Sequence, residues 1–153
     1  FEPFLEIYKS GYRTPNPDVM CNKYIKFHYF KQYVHDKLGL KRMATGHYAN
    51  VTHYEHENNI LSQLTCPTDH IKDQTYFLSL TRGLAFQDVV FPLGSLMKSQ
   101  VKEIARRHPK LSQCTAVLDK KESMGLCFIG PRSGGGAKFG DFLGQYIPFT
   151  PGR

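Results

Sequence analysis

No stretch of this sequence reaches the roughly eighteen consecutive apolar residues that a membrane span needs, and no charged-then-apolar leader opens it. Neither a transmembrane anchor nor a secretory signal is therefore expected, and a soluble intracellular setting is the reading that follows. Cysteine is scarce. The four present, Cys21, Cys66, Cys114 and Cys127, include no close CxxC pair of the kind a zinc site uses, and they are too few for a small disulfide-stapled scaffold. Free or transiently paired thiols are expected instead. The seven histidines have no metal-ligand spacing, so no structural metal is expected. Internal repeats and long low-complexity segments are also missing, which argues against a repeat architecture.

What is present is enough for a folded core. The chain has 153 residues with 41% hydrophobic content, sufficient for one ordinary domain or for parts of two. Twenty Lys and Arg against thirteen Asp and Glu leave a formal charge of +7, which favours a polyanionic partner such as nucleic acid. A merely basic surface is the commoner meaning of such a balance. The opening residues, FEPFLEIYKSGY, read as the middle of a fold, so the sequence is expected to be a fragment.

Periodicity and punctuation give an α/β chain. Asn16 is placed to cap a helix, Pro17 suits its first position because the missing N–H is unpaired there, and Asp18 favours the helix dipole. Met20, Tyr24, Phe27, Val34 and Leu38 then mark one buried face, and Gly39 ends the helix. A short apolar strand is expected at Met43 to Thr45. Gly46 follows it, where the backbone must turn or let a ligand come close. Tyr48 to Tyr54 and Ile60 to Thr65 flank the polar EHENN and predict a hairpin with a mobile tip.

Residues 72–80, KDQTYFLSL, predict a short helix with Tyr76, Phe77 and Leu80 turned inward, and VVFPLGSL reads as a connection punctuated by Pro92 and Gly94. KSQVKEIARRH predicts a helix with Val101, Ile104, Ala105 and His108 as its apolar stripe and Lys102, Arg106 and Arg107 outside, stopping before Pro109. LCFI at 126–129, bounded by Gly125 and Gly130, fits a buried strand. SGGGAK at 133–138 reads as a flexible linker, and FGDFLGQYI as a short helix weakened by two glycines.

Several of these residues carry chemistry. Cys21 follows the rigid PNPD corner in the first turns of a helix, with Lys23 and Lys26 nearby, and settings of that kind favour a thiolate. A small apolar filler is an equally good reading of its local sequence. Cys127, in ESMGLCFIG, has apolar neighbours that favour an inert core thiol, although the glycine-flanked strand end leaves room for a ligand. Lys72, Asp73 and Gln74 combine a cation, a carboxylate and an amide, a set that can contact phosphate, a sugar hydroxyl or a base edge; a solvated polar turn is the commoner role. His47 can touch a nucleotide or be hydrogen-bonded in its loop. The GGG at 134–136 lacks the GxxxxGK[ST] arrangement of a phosphate-binding loop.

Taken in order, GYRTPNPDVMCNKYIKF, ATGHYA, KDQTYFL, FPLG and KKESMGLCFIG resemble the tRNA-specific 2-thiouridylase family over nearly the whole chain, and KKESMG is similar to the mitochondrial members. The resemblance implies an α/β fold: the distal part of an adenine nucleotide α-hydrolase-like (PP-loop, Rossmann-like) domain, followed by the start of a small central domain. Residues 1–88 would be that distal part, 89–115 a helical insertion, 116–130 a return strand and 131–153 the start of the central domain.

The activity implied is ATP-dependent sulfur transfer to C2 of the wobble uridine of tRNA, with Mg²⁺ accompanying ATP. Cys127 would carry the persulfide and Cys21 would attack its sulfur, freeing sulfide or forming a transient disulfide. Asp18 would be the acid/base, and Asn16, Pro17 and Asp18 would shape the pocket for a flipped-out base. Gly46 would approach the adenine nucleotide, and Lys72, Asp73 and Gln74 would contact tRNA. The partners implied are tRNA and a sulfur donor protein, either a cysteine desulfurase or a relay. No membrane is implied, and the setting would be the mitochondrial matrix in a eukaryote or the cytoplasm in a bacterium.

Departures from the family pattern are also plain. The SGGxDS pyrophosphate loop and the C-terminal β-barrel do not occur in this sequence, which predicts little activity for the chain alone, and SGGGAKFGDFL departs from the family's Arg-rich approach. Cys66 and Cys114 match no functional cysteine. Two competing expectations are a non-catalytic tRNA-binding module without the ATP loop and a thiol redox switch.

Overall fold

The computed structural model describes residues 2–11, 15–114, 118 and 142–148. The chain divides into two compact units, one of Val19–Lys121 and one that joins Phe1–Asp18 to Glu122–Arg153. In the latter, α1 (Glu2–Ser10) has Glu2 in its first turn and Lys9 in its last, each suited to the helix dipole, and it buries Phe4 and Leu5. The Phe4 and Tyr8 rings meet edge to face at 5.0 Å. Gly11, at φ +70°, takes the left-handed conformation that ends the helix. Of the short helix expected in FGDFLGQYI, the described residues 142 and 143 are helical and 144–146 form the turn that follows, in which the Tyr146 and Ile147 amides donate to the Leu143 carbonyl at 2.9 and 2.8 Å.

Helix α2 (Pro17–Met20) starts as the sequence predicts: the Asn16 side-chain oxygen accepts from the Asp18 amide at 3.0 Å. It runs directly into a π-helix, Cys21–Phe30, and then into α3 (Lys31–Asp36). The π segment changes which residues face inward. With i→i+5 bonding, Asn22 and Phe27 share the buried face five residues apart, and Val34 follows in the α-helical part. Of the face expected from 3.6-residue periodicity, Met20, Tyr24 and Leu38 are exposed, which corrects that expectation. Gly39, at φ +64°, ends the helix, with its own amide and that of Leu40 donating to the His35 and Val34 carbonyls.

Strand β1 (Met43–Ala44) pairs in parallel with β4 (Val89–Val90), so Val89 and Val90 are not part of a connection, as their neighbourhood to Pro92 and Gly94 had implied. A two-residue strand beside such punctuation leaves no alternation to detect. Strands β2 (Asn50–His56) and β3 (Asn59–Thr65) form the expected antiparallel hairpin, in register from Asn50 opposite Thr65 to His56 opposite Asn59. Its two-residue turn, Glu57 and Asn58, has positive φ at both positions (48° and 60°), matching the right-handed twist of the strands.

The core of this unit is Phe27, Ala49, Leu78, Phe86, Val89 and Phe91, with Met43, Val51, Leu64 and Ala85 packed against it. Ring centroids lie 5.2 Å apart for Phe27 and Phe86, 6.2 Å for Phe27 and Phe91, and 5.9 Å for Phe86 and Phe91. Helix α4 (Thr75–Leu78) is shorter than expected and turns Leu78 inward, whereas Tyr76 and Leu80 are exposed. Helix α5 (Lys98–Arg107) forms and stops at His108 before Pro109, as predicted. Its stripe does not bury: Ile104 is 55% exposed, and no residue of the helix is buried among the described residues. Among those residues, no helix is long and apolar enough to cross a membrane, and no three His, Cys, Asp or Glu side chains converge as metal ligands.

Gly94 lies where backbones converge. Its carbonyl accepts from Asn50 Nδ2 at 3.1 Å and from the Thr68 amide at 2.8 Å. A Cβ there would overlap Asn50 Oδ1 and the Ala49 carbonyl. Gly94→Ala is therefore expected to cost about 2 kcal/mol or more in urea unfolding. A loss within experimental error would contradict this packing.

Candidate functional site

Asn16, Pro17 and Asp18 make the capped helix start, with Pro17 buried and the other two half-buried. Cys21 is the first residue of the π-helix, a half-buried free thiol; Cys66 and Cys114 are exposed free thiols. Among the described residues Cys21 is in no disulfide, as the expectation of free or transiently paired thiols allows, and its expected partner Cys127 is not one of those residues. Cys127, the strand expected at 126–129, the KKESMG motif and the linker at 133–138 lie outside the described residues.

Beside Cys21, Asn22 is 3% exposed, and its Nδ2 donates to the Phe77 carbonyl at 3.2 Å. Its Oδ1 is buried with no hydrogen-bond partner among the described residues. The side chain ties the π-helix to α4, and sequence reasoning missed it because the partner carbonyl is far along the chain.

Farther along the same helix, Lys26 Nζ stands 3.4 Å from His47 Nε2, while His47 Nδ1 is 2.9 Å from Thr45 Oγ1. An ammonium only donates, so Nε2 must accept; Nδ1 then carries the proton and donates to the threonine oxygen. The ring lies among Phe27, at 5.7 Å, and Phe91, at 6.3 Å. Burial first, and the Lys26 charge second, push the His47 pKa down from 6.5 to about 4. The loop histidine is therefore hydrogen-bonded, and it is neutral at pH 7. Nothing in its local sequence pointed to Lys26.

Gly46 is exposed, its φ is outside the left-handed region, and a Cβ built on it meets nothing within 4 Å. Neither a turn nor close packing within the described chain requires glycine there. Of the two reasons its sequence context offered, the turn is removed and room for an outside group is left.

The KDQ segment is held from both ends. Asp69, 4% exposed, accepts from the Ile71 and Lys72 amides at 3.2 and 3.3 Å through Oδ1 and from the Lys98 amide at 2.8 Å through Oδ2. One carboxylate thereby caps the 3₁₀ turn His70–Lys72 and the first residue of α5. Asp73 Oδ1 accepts from the Thr75 amide at 2.8 Å and from the Thr75 hydroxyl at 2.6 Å. Burial raises the Asp73 pKa, but the Thr75 and Cys66 hydrogen bonds and the His70 charge outweigh it and hold the group below the usual range.

Gln74 clamps Tyr48 with two bonds: Oε1 accepts from the Tyr48 amide, and the Gln74 amide donates to the Tyr48 carbonyl, both at 2.9 Å. The structure thus joins KDQ to the Gly46–Tyr48 segment, with Lys98 Nζ 5.8 Å from the centre of the Tyr48 ring. Asp69 was missed at the sequence level, although an Asp directly before a short helical turn is a capping signal that was there to find.

The family described as "tRNA methyl transferase HUP domain" has a model that matches residues 1–131. The chain is similar to the tRNA-specific 2-thiouridylase MnmA of Streptococcus agalactiae (strain NEM316), 49% identical over 153 residues, covering 100% of this chain and 37% of that protein. The proteins of the same name from Lactiplantibacillus plantarum and Klebsiella pneumoniae are 45% and 44% identical over 153 residues, again covering all of this chain and 37% and 38% of theirs. The chain therefore spans just over a third of the length of the curated relatives it matches.

His47 makes stability depend on pH in a defined direction. The unfolded chain takes up a proton near pH 6.5 that the folded one refuses until about pH 4. This contribution is complete above pH 6.5, is lost as pH falls towards 4, and amounts to about 2 kcal/mol after allowing for partial solvation. Denaturant unfolding of the wild type and His47→Gln across that window should show the extra acid sensitivity only in the wild type; parallel curves would contradict a neutral buried His47.

Proposed function

Because the chain belongs to the tRNA methyl transferase HUP-domain family, and within it to the tRNA 2-thiouridylases, we propose that the protein forms 2-thiouridine in tRNA. Similarity over the entire chain to proteins of that name carries the reading. The free, half-buried Cys21 behind a capped helix start supports it.

In this reading the uracil C2 oxygen attacks the α-phosphorus of ATP, and pyrophosphate leaves. The terminal sulfur of a persulfide on Cys127 adds to C2, and AMP departs with the original oxygen. The Cys21 thiolate then attacks the Cys127 sulfur; the S–S bond breaks towards the base, leaving 2-thiouridine and a Cys21–Cys127 disulfide that an external thiol reduces. Asp18 moves the proton at the base, while Asn16 and Pro17 shape the entry for a uridine turned out of its stack. A sulfur donor protein reloads Cys127. ATP is a cosubstrate, and the open space at Gly46 fits the approach of its nucleoside.

Lys72 faces tRNA in this proposal, whereas Asp73 and Gln74 act by holding the segment, since their side chains are engaged by Thr75 and Tyr48. The described α/β unit is then the distal part of a PP-loop domain, with a central domain starting at about residue 131.

Mass spectrometry of tRNA from cells whose complete gene carries Cys21→Ser or Cys127→Ser should show no 2-thiouridine; retention in both variants would remove the mechanism. Gly46→Val should raise KM for ATP while leaving stability unchanged within about 0.5 kcal/mol, because no neighbouring atom stands in the way. An unchanged KM would separate Gly46 from the nucleotide.

A further inference from the structure

Lysines in the Val19–Lys121 unit reach their neighbours in different ways. Lys31 is half-buried on the helix that carries Cys21, and its ammonium is offset by Asp88 at 3.6 Å and by the Ala85 carbonyl at 2.9 Å. Lys98 lies over the Tyr48 ring, and Lys23 over Tyr24 at 4.9 Å. Lys26 differs. It is also half-buried, its hydrogen bond goes to a neutral imidazole, and among the described residues no carboxylate comes within 4.0 Å of it.

A cation partly withdrawn from water with no counter-charge among the described residues is costly, and an ammonium has three donors, of which His47 uses one. His47 is itself fixed by Thr45 and by the Phe27 and Phe91 rings, so it anchors the ammonium rather than adding charge of its own. The next residue back along the chain is Gly46, where the backbone has open space above it. A cation with no counter-charge among the described residues, anchored on the residue that follows this opening, matches one ligand chemistry, an anion small enough to approach main chain.

We propose that Lys26 is a phosphate-binding residue, its ammonium held by His47 Nε2 so that the remaining donors meet a phosphate or phosphodiester oxygen brought up at Gly46. The thiouridylase reading is used only to choose the two sources of that oxygen, an adenine nucleotide or RNA; the cation and its anchor stand apart from it.

Calorimetric binding of AMP, inorganic pyrophosphate and a uridine pentanucleotide to the intact protein tests this in the wild type, Lys26→Gln and Lys26→Arg. Glutamine keeps a donor for His47 Nε2 while removing the charge, so the fold is retained and checked by the His47 ring signals in NMR. At least one probe should bind the wild type, weaken about tenfold or more in Lys26→Gln, and recover in Lys26→Arg. Weakening confined to AMP or pyrophosphate assigns the nucleotide phosphate, and weakening confined to the pentanucleotide assigns the RNA backbone. Equal binding of every probe by wild type and Lys26→Gln, or no binding of any probe by the wild type, would overturn the proposal. If Lys26-dependent binding is seen but tRNA is never thiolated by the wild type, the cation site stands and the thiouridylase reading falls; thiolation with Lys26-independent binding gives the reverse.

Discussion

Burial of the Phe27 ring is the constraint on which the Val19–Lys121 unit depends. The ring packs against Phe86, Phe91 and His47, and burying such a side chain contributes roughly 1.5–3 kcal/mol. It acts on a helix whose widened i→i+5 turns bring Asn22 to the same inner face. With both residues inside, the rotational setting of the helix is determined. Cys21 is then left half-buried and Lys26 is directed to His47. The same aromatic contacts that form the core desolvate the histidine, so packing and electrostatics at this site have one cause.

Around that core, polar side chains do the work that longer elements would do elsewhere. Strands β1 and β4 are two residues each, too short to align a loop unaided. The alignment comes from Gln74, which binds both backbone groups of Tyr48, and from Asp69, which joins the turn before KDQ to the start of α5. Both side chains accept from main-chain amides, and the buried Asp69 carboxylate does so as a charged acceptor, whose hydrogen bonds are stronger than neutral ones. The residues before and after the short central pair of strands are thereby held as one arrangement, from Thr45 through Tyr48 to Lys98. That arrangement is what brings Gly46, His47 and the KDQ segment within one unit of the fold.

Much of this was legible in the residues. The Asn16 cap, the stop at Gly39, the hairpin and the end of α5 at His108 each have local chemical causes, and each was found where those causes predict. The misreadings share a different origin. A 3.6-residue period places Met20, Tyr24 and Leu38 inward, but a π-helix, which holds Tyr24, intervenes and does not keep that period, and Leu38 lies beyond the end of α3. Val89 and Val90 form a strand too short to show alternation, and its strand partner among the described residues is β1. The stripe of α5 is only partly covered, with Val101 and Ala105 half-buried and Ile104 exposed, because an amphipathic pattern states which face is apolar, not whether a neighbour is there to cover it. The Lys26–His47 and Asn22–Phe77 contacts link residues distant in sequence, and no local signal announces such pairs. The family motifs, by contrast, were readable as a set because their order along the chain is itself information.

The tautomer of His47 is the most direct measure of whether core packing and site electrostatics are one arrangement. Long-range ¹H–¹⁵N NMR of the imidazole reports which nitrogen is protonated. The account predicts protonated Nδ1 and bare Nε2 at neutral pH, with no second proton taken up until about pH 4. A proton on Nε2, or titration at the 6.5 of a solvated histidine, would mean that Lys26 does not rest on this ring and that burial of Phe27 does not organise the site.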